Sequence, residues 1–260
     1  MTSPTTQRTL PLRSGLKLTV RECGTGSPVL LLHGAAGPDS ITALADHLAA
    51  RHHVIVPVHP GWDDTQRPEQ LGSVADLAEA YLSLLDHLGQ GPVAVLGSSF
   101  GGWIASEMAL RGRDRRINQL ILMNAIGPVL PGHPVAVPGQ TRSGPAQRAQ
   151  AGTESGQPTQ PRRGPSPAAL AALRAYTAPD MQDPDLLPRL KSVQLPVLVV
   201  WGENDPVVSP AFGRAYANAF PHARFALIPD AGHIPTREQP ETTFAILDRF
   251  LTDPTSPPGN

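Results

Sequence analysis

Gly97-Ser98-Ser99-Phe100-Gly101-Gly102 lies between two stretches of opposite character. Before it, Pro92-Val93-Ala94-Val95-Leu96 is an unbroken apolar run of strand length; after it, Trp103-Ile104-Ala105-Ser106-Glu107-Met108-Ala109-Leu110 reads as a helix. The pattern predicts that a strand ends and a helix begins at Ser99. So tight a reversal needs residues without side-chain bulk two positions to either side, and Gly97 and Gly101 meet that need. Ser99 would then raise its hydroxyl above the sheet edge. The first amides of the helix and the positive end of its dipole would face the same point, where they stabilise negative charge. Ser99 is therefore a candidate nucleophile, although G-x-S-x-G alone is a weak signal because small residues also gather in ordinary turns.

The neighbouring segments strengthen it. Upstream, Leu16 to Cys23 alternates apolar and polar residues, as a half-exposed edge strand does, and Pro28-Val29-Leu30-Leu31-Leu32 is apolar throughout. A continuously apolar strand is covered on both faces, which implies a parallel sheet between helices. Gly24-Thr25-Gly26 is no dinucleotide fingerprint, because a strand follows it where a helix is required. The apolar runs Val54-Ile55-Val56-Pro57-Val58, Leu120-Ile121-Leu122-Met123, Pro196-Val197-Leu198-Val199-Val200-Trp201 and Arg224-Phe225-Ala226-Leu227-Ile228-Pro229 read as further strands. Helical spacing recurs between them: Ile41, Leu44 and Leu48; Val74 to Leu88 behind a Ser73 cap; Ala168 to Ala178; Phe212 and Tyr216 behind Ser209-Pro210; and Phe244, Leu247 and Leu251. Strands alternating with helices specify a mostly parallel, doubly wound sheet, whose ligands sit beyond the carboxyl ends of the strands. His33, Ser99, Asp205 and His233 each fall just after a strand, so four loops are expected to converge on one edge.

Residues 127–167 differ. They hold seven Gly, nine Pro and no aromatic residue, with Arg142, Arg148, Arg162 and Arg163 giving a basic excess. A segment with so little apolar surface is expected to be mobile for most of its length. His133, inside it, is expected to be solvated. The domain reading is a core over residues 7–126 and 192–252, a short cap insertion over 127–191 that is mobile over 127–167, and a flexible tail at 253–260.

The chain of 260 residues, with net charge −1, offers no basic surface for nucleic acid or anionic lipid, so a small molecule is the expected partner. The polar residues 1–8 form no signal peptide and no run is long enough to span a membrane, which makes a soluble cytoplasmic protein the expectation. The lone Cys23 has no disulfide partner and reads as a buried strand residue. In His59-Pro60-Gly61-Trp62-Asp63-Asp64 a histidine neighbours two carboxylates, but no second histidine stands at ligand spacing, so solvated acids are expected there and no metal or cofactor is.

A serine hydroxyl attacks well near neutral pH only if a base takes its proton, and a histidine in that role needs a carboxylate to hold its tautomer. Ser99, Asp205 and His233 supply these groups in chain order. With His33-Gly34-Ala35-Ala36-Gly37, Trp201-Gly202-Glu203-Asn204-Asp205 and Gly232-His233, the chain resembles the α/β-hydrolase fold from about Leu16 to Leu251, apart from residues 127–167. The resemblance implies Ser99 as nucleophile, His233 as general base and acid, Asp205 as its orienter, and an oxyanion hole from the N–H groups of Ala35 and Phe100. Ser98 and Ala36 would touch substrate, His33 would hold its loop, Trp103 would belong to the core, Asp230 would cap a turn, and Glu203 is the fallback acid. The family pattern includes a cap of about four helices that this sequence does not show. Serine at the elbow argues against haloalkane dehalogenases and epoxide hydrolases, and the absence of tryptophan after His233 lowers the case for a carbon–carbon hydrolase of aromatic degradation. The expected activity is hydrolysis of small carboxylic esters or thioesters through an acyl-enzyme. A carbon–carbon hydrolase, a biosynthetic cyclase or lyase, and a non-catalytic binding protein are the alternatives.

Overall fold

The computed structural model describes residues 5–12, 15–112, 116–136, 165–177 and 180–254. The elements in chain order are β1 (Thr6–Pro11), β2 (Lys17–Cys23), β3 (Ser27–Leu32), α1 (Thr42–Leu48), β4 (His52–Pro57), α2 (Val74–Leu88), β5 (Val93–Ser98), α3 (Phe100–Arg111) and β6 (Ile117–Met123), followed by β7 (Gly127–Pro128), α4 (Pro167–Thr177), β8 (Gln182–Asp183), α5 (Leu186–Leu190), β9 (Val197–Gly202), α6 (Pro210–Asn218), β10 (Ala223–Ile228), α7 (Pro235–Glu238) and α8 (Pro240–Thr252). Eight strands form one sheet in the order β1-β2-β4-β3-β5-β6-β9-β10. The six from β4 to β10 pair in parallel, and β1 and β2 join antiparallel.

The period of two along each strand divides the core. Leu30, Leu32, Val95, Leu120, Leu122, Val197 and Val199 pack on one face with Leu77 and Tyr81 of α2, Ile104 of α3 and Phe212 of α6. Val29, Leu31, Leu96, Ile121, Met123, Leu198 and Val200 pack on the other with Leu44 and Leu48 of α1 and Leu247 and Phe250 of α8. Helix α2 starts where the sequence placed it, with Ser73 Oγ accepting from the Asp76 N–H at 3.2 Å.

Two expectations are corrected. The strand at Leu16 to Cys23 is no edge, because β1 pairs outside it; β1 is exposed except at Leu10, and its side-chain bonds, such as that of Arg8 to Glu22, reach residues distant in sequence, so the residue pattern gives it no signal. At the ends of the 127–167 segment the described residues are packed. Gly127 and Pro128 pair with Gln182 and Asp183, the Ala136 N–H donates to the Val207 carbonyl at 2.9 Å, and Val135 is buried. His133 is half-buried, with Nδ1 3.0 Å from Ser209 Oγ, so it is not a solvated side chain. These residues are held by main-chain bonds to partners distant in sequence. The remainder of the expected mobile stretch, residues 137–164, lies outside the described residues, as does the tail beyond residue 254. Helix α4 follows the predicted pattern, burying Leu173 and Tyr176 along with Ala169 and Ala172.

Candidate active site

Strand β5 ends at Ser98 and α3 begins at Phe100, so Ser99 alone makes the reversal. It does so at φ 53°, a left-handed conformation costly for a residue with a Cβ. A Cβ on Gly97 would overlap the Gly101 carbonyl, and one on Gly101 would overlap the Leu32 carbonyl, so strand, helix and the end of β3 touch backbone to backbone. Ser99 caps no N–H of α3. Its hydroxyl instead lies 3.0 Å from His233 Nε2, and His233 Nδ1 lies 2.8 Å from Asp205 Oδ2. Three loops, after β5, β9 and β10, thus form one hydrogen-bonded chain. The Asp205 side chain is fully buried, and its Oδ1 accepts the Val207 and Val208 N–H groups at 2.7 and 3.2 Å. Glu203 is exposed and turned toward the Asp230 N–H, away from the imidazole.

The backbone around Ala35 and Phe100 is aimed by the carbonyls of the preceding residues. The Gly34 carbonyl accepts from His33 Nδ1 at 2.7 Å and from the Gly37 N–H at 3.1 Å. In a trans peptide the N–H points opposite to the C=O, so the Ala35 N–H is turned away from that loop. The Ser99 carbonyl likewise accepts the Gly102 and Ile126 N–H groups at 3.0 and 3.2 Å, which turns the Phe100 N–H the other way. Among the described residues neither N–H donates to a main-chain acceptor. A Cβ on Gly34 would lie 3.1 Å from Ser99 Cβ, so the two loops are in contact.

His33 and His59 underpin this loop. The His59 N–H donates to His33 Nε2 at 3.1 Å, so His33 carries its proton on Nδ1 and donates it to the Gly34 carbonyl. His59 Nε2 meets the His33 carbonyl at 2.8 Å and must donate, which leaves Nδ1 to accept from Tyr81 Oη at 2.6 Å. Both rings are wholly buried and neutral; burial lowers His59 to about 3 and takes His33 well below its ordinary value, the facing His59 adding to the effect. Trp62 Nε1 donates to the Ala35 carbonyl at 2.8 Å. His59 is therefore a buried loop anchor, while the acids beside it are exposed, Asp63 pairing with Arg21 at 2.9 Å.

A cavity of about 210 Å3 opens over Ser99 and His233. Ala35, Ala36, Ser98 and Phe100 line it with Val207 from the loop after β9 and with Val135, Leu173 and Met181 from residues 127–191. No Lys or Arg is among the described residues that line it. An open cleft of about 640 Å3 lies between α3 and α5, beside Arg111 and Arg189, but at the other end of α3 from Ser99; both guanidiniums are already paired with buried Glu107. Trp103 is buried against Gly127 and takes no part in the Ser99 cavity. Among the described residues no group of three or more His, Cys, Asp or Glu could hold a metal ion, and no helix is long and apolar enough to cross a membrane.

Two residues at the site were not among those expected from the sequence. Asn124, next after β6, donates through Nδ2 to Asp205 Oδ2. Glu238 accepts the N–H groups of Gly232 and Ile234 at 2.7 and 3.2 Å, bracketing His233. A carboxylate five residues beyond the histidine, at the end of a one-turn helix, was the only available sign of the second.

A family model described as the alpha/beta hydrolase family matches residues 29–246. Polyketide synthase ThaQ of Burkholderia thailandensis is 32% identical over 248 residues, covering 88% of this chain and 12% of its own length. A 2-hydroxy-6-oxo-2,4-heptadienoate hydrolase of Pseudomonas putida is 34% identical over 123 residues, 45% of this chain and 44% of that protein. The chain thus spans less than half the length of either relative. A thermophilic esterase from Thermogutta terrifontis, solved with malate bound, superposes with a TM-score of 0.75 at 25% identity over 96% of this chain and 100% of that one.

Proposed function

The chain belongs to the alpha/beta hydrolase family, and on that premise we propose that it is a serine hydrolase cleaving small, uncharged carboxylic esters or thioesters through an acyl-enzyme. The observation that carries this reading is the continuous chain from Ser99 Oγ to His233 Nε2 and from His233 Nδ1 to Asp205 Oδ2, at 3.0 and 2.8 Å, opening onto an apolar cavity. Ser99 Oγ gives its proton to His233 Nε2 as it forms a bond to the acyl carbon. Negative charge gathers on the former carbonyl oxygen and is met by the N–H groups of Ala35 and Phe100. The imidazolium, steadied by Asp205, returns the proton to the departing alkoxide or thiolate as the C–O or C–S bond breaks. Water, giving a proton to the same imidazole, then attacks the acyl carbon; the bond to Ser99 Oγ breaks and the imidazolium returns the proton to that oxygen.

The cavity also supports the choice of substrate. At about 210 Å3 it is smaller than the about 300–1,000 Å3 common for drug-sized ligands, which suits a short acyl group. A second reading, carbon–carbon hydrolysis of a dienoate, is favoured by the similarity to the Pseudomonas putida hydrolase. It would bring a carboxylate against a lining in which the described residues offer no cation, an arrangement that costs several kcal/mol for an ion left unpaired (about that order).

The test compares p-nitrophenyl butyrate with an aryl hemisuccinate of equal chain length and with a 2-hydroxy-6-oxo-dienoate, in the native protein and in Ser99→Ala. The reading expects turnover of the butyrate at least about tenfold above the hemisuccinate in kcat/KM, a preference of about 1.4 kcal/mol, lost in Ser99→Ala. Preferred turnover of the dienoate overturns the ester assignment. No turnover of any acyl compound overturns the enzyme.

A further inference from the structure

Asn124 stands where β6 leaves the sheet, at φ 47° and with no exposed surface. Few non-glycine residues adopt that conformation, and here it turns the side chain into the space between three loops. Asn124 Nδ2 donates both to Asp205 Oδ2 and to the Gly232 carbonyl, the latter at 3.2 Å. Its Oδ1 accepts the Gly202 N–H at 3.3 Å, and its own N–H donates to the Val200 carbonyl at 3.0 Å. One amide therefore joins the ends of β6 and β9 to the loop carrying His233.

The oxygen it reaches is the one that also accepts from His233 Nδ1. Asp205 has four donors: the Val207 and Val208 N–H groups on Oδ1, and Asn124 and His233 on Oδ2. Such donors take the place of the water that a buried carboxylate loses. A donor on the oxygen facing the imidazole also draws off part of the charge that steadies the imidazolium. The other ionisable groups of these loops, Glu203, Asp230, Arg237 and Glu238, are exposed, with Glu203 and Glu238 turned onto main-chain N–H groups.

We propose that Asn124 is a positioning residue of the site, one that holds the Asp205 carboxylate and the His233 loop in register and moderates the grip of that carboxylate on the imidazolium. The proposal rests on the serine-hydrolase reading for its catalytic consequence, while its electrostatic part concerns the Asp205–His233 pair alone.

Two variants separate this role from mere packing. Asn124→Gly keeps the left-handed backbone without strain and removes the amide. Asn124→Ala removes the amide while keeping a Cβ on the left-handed backbone. The readouts are the titration midpoint of the His233 imidazole by 1H–15N NMR, the pH profile of kcat/KM, and the melting temperature. Removal of the donor is expected to raise the His233 midpoint by about half a unit in Asn124→Gly and by a similar amount in Asn124→Ala. The acid limb of kcat/KM should follow the same shifts, with kcat down about tenfold or more and KM within about twofold in Asn124→Gly. A His233 midpoint at the native value in both variants, with only the melting temperature reduced, overturns the proposal. If Asn124→Gly does not fold, the midpoint in Asn124→Ala decides by itself. If the native protein turns over no ester, the midpoint still reports on Asn124, and only the serine-hydrolase reading falls.

Discussion

At the scale of single residues, Ser99 concentrates the physical conflict of the molecule. Its φ of 53° is a strained conformation for serine, and glycine at 97 and 101 lets the surrounding backbones approach closely enough to enforce it. The strain frees the hydroxyl from capping its own helix and presents it to His233. Glu238 does for the imidazole what the glycines do for the hydroxyl. Its carboxylate accepts the N–H groups on both sides of His233, and at Gly232 it comes so close that a Cβ would lie 2.8 Å from Oε2. Charge-assisted bonds of this kind contribute about 1.5–3 kcal/mol when buried and less at an exposed position such as this. Glu238→Ala is therefore expected to lower kcat for p-nitrophenyl butyrate about tenfold with KM nearly unchanged, because the loop and not the cavity loosens. Steady-state kinetics on the variant check this, and an unchanged kcat contradicts it.

At the scale of elements, the loop after β3 and the start of α3 share one design. Each has a carbonyl held by two donors, and each thereby aims the next N–H. His33 supplies one of those donors from a ring whose tautomer is set by the His59 N–H. His33→Ala leaves the Gly34 carbonyl with a single donor and the buried His59 N–H with none. Since loss of an oxyanion donor costs about 10²- to 10³-fold, a mis-aimed Ala35 N–H should cost about 10- to 100-fold in kcat. Stopped-flow acylation rates check it, and acylation at the native rate would exclude this role for His33. The resemblance implied that His33 holds its loop, without indicating which groups fix its tautomer. Its partner His59 lies 26 positions away, and Tyr81, which bonds His59, a further 22, and no local pattern joins them. For the same reason β1 escaped notice: a polar strand paired through its main chain leaves no periodic trace. Asn124 read only as the end of an apolar run, because its value lies in bonds to Asp205, Gly202 and Gly232.

At the scale of the whole molecule, the doubly wound sheet was legible because buried parallel strands must be apolar on both faces, and the loops carrying Ser99, Asp205 and His233 follow from where those strands end. The packed ends of the 127–167 segment were not legible, since composition reports the entropy of a segment and not its distant partners. The buried histidines also limit stability toward acid. His59 is held at about 3 against an ordinary 6.5, so between those values the unfolded chain takes up a proton that the folded chain refuses. Stability is then complete above about pH 6.5 and declines below it by up to about 1.4 kcal/mol per pH unit for this group, with His33 acting in the same direction. Burial raises Tyr81, Tyr176 and Tyr216 above 10, so their contribution is present below pH 10 and is lost as pH rises past it. Thermal unfolding from pH 4 to 11 should show a plateau between about 6.5 and 10, with a shallower acid slope in His59→Gln. Equal acid slopes in the two proteins would remove His59 from this account.

The central claim is that Ser99 is activated by His233 and Asp205 to form a covalent acyl-enzyme. Intact-protein mass spectrometry after brief exposure to a fluorophosphonate, with peptide mapping of the adduct, tests it most directly. The account predicts one adduct, on Ser99, absent from Ser99→Ala and formed about 10³-fold or more slowly in His233→Ala. A native protein that stays unlabelled, an adduct on another residue, or labelling of His233→Ala at the native rate would contradict it.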